Sequence, residues 1–201
     1  MMKKTTLIYL LFICNITFAQ NNFLSVINYH TTNAASEIRI QDYNEAANSL
    51  QDAITVFYKE MDKATNKETF LNKYFETFLV LNYDKVWCCL LILQKGTVKD
   101  FDYLIEDIIS SLDFILSSPF LENPKIVNGN FTIENVYTMV GITKYLLEID
   151  GYKDDLLKGG ISGVNYLERI KVAESYDNKE HKYQPEIKPL FSVNTTRKIS
   201  N

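Results

Sequence analysis

The chain has 201 residues, 46% of them hydrophobic, 13% aromatic and 23% charged, which excludes a disordered or collagen-like polypeptide. Seven Gly and four Pro are too few for a β-sandwich with a turn every ~8–12 residues, so one all-α domain is expected. A formal charge of −4 gives no basic field for nucleic acid, and two His with three Cys cannot form the usual four-ligand Cys/His zinc site.

The first residues read as an export signal. Lys3 and Lys4 form a positive start, Thr5 to Ile16 is an apolar run, and Thr17-Phe18-Ala19 places small residues before Gln20. An apolar run of about 12 residues is too short for a membrane span of ~20. Cys14 follows Ile13 where a lipid-attachment site has a small residue, so a cleaved leader over 1–19 is expected. Its removal takes two lysines and leaves a more acidic chain with no other stretch apolar enough to span a bilayer. Only Cys88 and Cys89 then remain, and neighbours in sequence suit two reduced core thiols better than a disulfide.

From Asn21 to Lys95 there is neither Gly nor Pro, which predicts long helices joined by short polar turns. Tyr43, Ala46, Ala47, Leu50, Ala53, Ile54 and Phe57 recur at helical spacing and predict one buried stripe. Phe70, Leu71, Tyr74, Phe75, Phe78 and Leu81 predict another. The spacing of Phe101, Leu104, Ile105, Ile108, Ile109, Leu112, Ile115 and Leu116 is the most regular in the chain. Asp102, Glu106 and Asp113 gather on the opposite side and read as a solvated face, since no calcium-loop pattern accompanies them.

Past Ser117-Ser118-Pro119 a loop is expected. Within it Asn128-Gly129-Asn130 leaves open a small hairpin between 125–127 and 131–133. Thr132 is a candidate N-cap for the next helix, and Asp150-Gly151 a turn into the last one. The predicted helices are 22–40, 42–63, 67–81, 83–95, 98–117, 132–149 and 152–173. The domain runs over 20–175 and an extended tail over 176–201.

Catalytic signatures are absent. His30 and His181 have no metal-binding spacing, and no G-x-S-x-G is present. Lys158-Gly159-Gly160-Ile161-Ser162-Gly163 lacks the phosphate-loop pattern, so its glycines predict close helix packing or a local break. No catalytic, cofactor-binding or metal residues are therefore nominated.

Three segments share a form: Ile40-Gln41-Asp42-Tyr43, Leu81-Asn82-Tyr83-Asp84 and Ile149-Asp150-Gly151-Tyr152. Each has polar turn residues and then a Tyr opening a helix. Tyr43 is followed by Ala46, Leu50 and Ala53, and Ala34 stands in the preceding helix. This resembles the second half of a tetratricopeptide (TPR) repeat, a 34-residue helix–turn–helix unit. The resemblance covers residues 30–63 and extends more weakly to 95; the repeat's Trp and closing Pro are missing, and the three tyrosines are 40 and 69 residues apart.

The resemblance implies antiparallel helical hairpins in a TPR-like right-handed solenoid. The residues alone leave open an irregular bundle of about six to seven helices. It further implies a non-catalytic scaffold for a protein or peptide partner, which the leader would place in the periplasm or outside the cell. A small secreted or periplasmic inhibitor or immunity-type protein, acting through acidic faces, is the alternative. Neither reading requires a cofactor, nucleic acid or stable membrane insertion after signal cleavage.

Overall fold

The computed structural model describes residues 22–95, 102–118 and 132–175, and these form seven helices with no strand among them. The expected leader (1–19), the Asn128-Gly129-Asn130 turn and the tail (176–201) lie outside the described residues, as does His181.

The helices are α1 over 22–39, α2 (Tyr43–Lys63), α3 (Lys67–Lys95), α4 (Asp102–Leu116), α5 (Ile133–Leu146), α6 (Tyr152–Lys158) and α7 (Gly160–Ser175). Their ends follow from capping chemistry. Asp42 caps α2 by accepting from the Glu45 N–H, Asn66 accepts from the Thr69 N–H, and Thr132 caps α5 by accepting from the Asn135 N–H. The Thr132 cap is the one expected from sequence. Ile133, named above as the end of a possible strand, is the first helical residue of α5.

Two turns stop their helices in the same way. After α1, the Gln41 N–H donates to Ile38 O (3.0 Å) and the Asp42 N–H to Glu37 O (2.9 Å), with Gln41 left-handed at φ 62°. After α5, the Glu148 N–H donates to Tyr145 O (3.3 Å) and the Ile149 N–H to Lys144 O (2.8 Å), with Glu148 at φ 57°. Both are Schellman ends in which a side-chain-bearing residue occupies the site that glycine normally fills. A tyrosine opens each following helix. The Tyr152 ring lies 5.2 Å from Tyr145 across its corner, and the Lys95 ammonium sits 4.4 Å over the Tyr43 ring.

The third tyrosine turn does not exist. The chain runs helically through Leu81, Asn82 and Tyr83, so the predicted helices 67–81 and 83–95 are one element. Asn82 does not compete with the helix, because its side-chain amide donates to Phe78 O one turn back (2.8 Å) in the buried interior. The bend falls instead at Tyr74 (φ −112°, ψ 16°), whose ring packs 5.3 Å from Phe23 and 4.8 Å from Phe70.

Beyond Phe78, α3 is buried nearly all round, as expected of a helix with partners on both sides. One core joins α1, α2 and α3 through Phe23, Ile27, Ala46, Leu50, Ala53, Phe57, Tyr74 and Phe78. The second joins α3 to α4, α5, α6 and α7 through Trp87, Leu90, Leu104, Ile108, Ile115, Val136, Met139, Leu156 and Ile170. The α2 stripe predicted from sequence is the buried face of that helix. On α4 only Leu104, Ile108, Leu112 and Ile115 of the predicted stripe are buried, while Ile109 and Leu116 stay exposed.

The last predicted helix is two. Gly160, at φ +60°, breaks the chain between α6 and α7. Glycines also bring the helices together. A Cβ on Gly163 would lie 1.9 Å from Leu156 O, and one on Gly159 2.3 Å from Thr138 Oγ1, so the close packing expected there is present as well as the break.

Candidate functional site

The ionisable groups that the fold takes out of water lie mainly on α3 and at the α5–α6 corner. Lys85 stands in the largely buried stretch Leu81–Ile92 and is 5% exposed. An ammonium there requires partners. It donates to Gln51 Oε1 of α2 (2.6 Å) and stands 2.9 Å from Asp107 Oδ1 of α4, so one cation ties three helices together. The carboxylate of Asp107 is half-open to solvent. Sequence reasoning did not single Lys85 out; a basic residue inside a stretch of core spacing, next to Asp84, was the available signal.

One turn further along α3 lie the thiols. Cys88 and Cys89 are free and buried. Burial pushes the Cys89 thiol up to about 12, with Lys85 opposing and Asp107 assisting. Burial likewise pushes Cys88 well above its ordinary range, helped by the charges of Asp84, Cys89 and Glu37. Both therefore stay protonated at neutral pH and are poor nucleophiles. Burial also raises the Tyr43 hydroxyl, and the Cys88 charge adds to the effect. At the end of α3, Lys95 donates to Gln41 O (3.0 Å) and covers the α1–α2 turn.

At the other corner Asp155, at the start of α6, is buried and lies 2.6 Å from Lys144 Nζ of α5, with Lys158 at 3.9 Å. These contacts join neighbouring elements and are satisfied within the chain. His30 lies 3.8 Å from Asp52 across the α1–α2 pair, outside any cluster of ligands. Among the described residues no group of His, Cys, Asp and Glu could hold a metal ion. Asp102, Glu106 and Asp113 are exposed, in line with a solvated face. The Lys158–Gly163 segment is a helix–helix contact, with Thr138 Oγ1 donating to Gly159 O (3.2 Å).

What remains open to a partner is the surface. Tyr29, Tyr58 and Tyr103 are exposed on α1, α2 and α4, and Leu157, Ile161 and Val172 on α6 and α7, Ile161 to 84%. No described helix is long and apolar enough to cross a membrane. The chain matches no known family model, no curated protein and no solved structure.

Proposed function

We propose that this protein is an exported, non-catalytic helical scaffold, built of TPR-like antiparallel hairpins, that binds a protein or peptide partner in the periplasm or outside the cell. The observation that carries the reading is a contrast in where chemistry is available. The buried Lys85 and Asp155 are matched inside the chain and the thiols are held protonated, while aromatic and branched apolar side chains face solvent on five helices. Exposed Tyr offers large contact area at small entropic cost, which suits recognition. The Lys3-Lys4 start and the apolar run before Ala19 support export.

A photocrosslinking residue placed in turn at Tyr29, Tyr103 and Ile161 of the chain, expressed in its own host, tests the reading. One discrete adduct from some positions and none from the others is expected. No adduct from any position overturns it. N-terminal sequencing of the same material is expected to begin at Gln20.

The acidic outer side of α4 favours a second reading, a small exported inhibitor or immunity-type protein that neutralises a basic target. It requires a complex that weakens steeply with salt.

A further inference from the structure

We infer that the outer face of α4 docks a basic amphipathic helix of a protein partner, an inference that rests on the binding reading above and adds the face and the partner's chemistry. At about 100° per residue the helix places two rows side by side on its outer half. Ile105, Ile109 and Leu116 form an apolar row, of which Ile109 is 46% and Leu116 38% exposed. Glu106 and Asp113 form an adjoining acidic row, both exposed. The residues buried against α3 are others: Leu104, Ile108, Leu112 and Ile115.

The charge on α4 has one sign. Its sequence, DYLIEDIISSLDFIL, holds four carboxylates and no basic residue. Asp107 is answered from inside by Lys85 (2.9 Å). Glu106 and Asp113 stand in no ion pair among the described residues and face solvent, so both carboxylates are open to cations that an occupant brings. That occupant must set apolar side chains on Ile109 and Leu116 and cations one row over. Leu-type and Lys- or Arg-type residues alternating at helical spacing meet both demands. The 15 residues of α4 span about 22 Å, which a partner helix of about four turns matches. Anionic lipid and nucleic acid are repelled by the acidic row, and a bare divalent cation leaves the apolar row unused.

The test uses the full chain and two labelled peptides of identical Leu/Lys composition, one amphipathic as a helix and one scrambled. Fluorescence anisotropy at about 50 and about 300 mM salt spans the range in which screening weakens surface attraction. The amphipathic peptide is expected to bind about tenfold tighter than its isomer, and Ile109→Ser with Leu116→Ser to remove that preference. Glu106→Gln with Asp113→Asn is expected to weaken binding about tenfold at low salt and to flatten the salt dependence. Ile109→Lys, which sets a like charge against the peptide, gives the same loss. Far-UV melting confirms that each variant is folded.

Equal binding of both peptides, or full affinity in the α4 variants, overturns the inference. Binding that is lost instead with Ile161→Ser moves the dock to α7 and leaves the scaffold reading standing. Failure of either peptide to bind also overturns it, and the crosslinking scan decides the broader reading independently. Calcium or anionic vesicles binding in a manner that depends on Glu106 and Asp113 replaces the helix by another ligand and overturns it too.

Discussion

The two helical blocks that flank α3 are packed by opposite means. Toward α1 and α2 the space is filled by rings: Phe57 stacks on Phe78 at 4.4 Å and meets Phe70 edge-on at 5.4 Å, and Phe23 touches Phe57, Phe70 and Tyr74. In the block of α5, α6 and α7, close contact is reached by omitting side chains, with Gly141, Gly159 and Gly163 set against Leu156 and Thr138. A ring core loses contacts when an atom is removed, and a glycine contact fails when one is added. The same fold is therefore sensitive to opposite changes in its two halves.

The largest expected effect is on the ring side. Phe57 has no exposed surface, so Phe57→Ala should cost about 3–5 kcal/mol in urea unfolding, and a loss below 1 kcal/mol would deny that the rings bear on stability. On the glycine side Gly163→Ala places a methyl against the Leu156 backbone, which cannot swing away as a side chain can. About 3 kcal/mol of destabilisation is expected, with Phe57→Ala and Gly163→Ala additive because they do not touch.

The two Schellman turns separate the halves less. Gln41→Gly should stabilise by about 1 kcal/mol, since it relieves a left-handed side-chain-bearing residue while keeping the carbonyl that accepts from Lys95. A melting temperature unchanged or lowered by this substitution would show that the Gln41 side chain contributes contacts of its own.

The last effect is alkaline. The Cys89 thiol rises from an ordinary 9.0 to about 12 on folding, so its contribution is complete below pH 9 and is lost as pH climbs toward the folded value. Urea midpoints measured from about pH 8 to about pH 11 should fall, and fall less in Cys89→Ala. Cys88 and Tyr43, whose thiol and hydroxyl are also raised, remain in both proteins and set the residual slope.

Much of this was legible because helical spacing is local. Ala46, Leu50, Ala53, Ile54 and Phe57 announce the buried side of α2, and Thr132 announces the start of α5. Leu81-Asn82-Tyr83 was misleading, since a polar residue before a tyrosine reads as a turn in isolation. Burial lets Asn82 bond back to Phe78, and the helix continues. Lys85 was not legible as a bridge, because Gln51 lies 34 residues before it and its other partner on the following helix. The acids of α4 were visible as a face, but not that Asp107 is answered from the core by Lys85.

The amino-acid order by itself determined an all-helical chain, the oily stripes of α2 and α4, and the glycine cluster near residue 160. Those depend on propensity and on periodicity of 3.6, which neighbours along the chain set. Only tertiary structure decided that 67–95 is one bent helix, that the glycines both break and press helices together, and that part of the α4 stripe faces water. Each of these depends on what lies across the interface, and burial by distant residues outweighs local preference there.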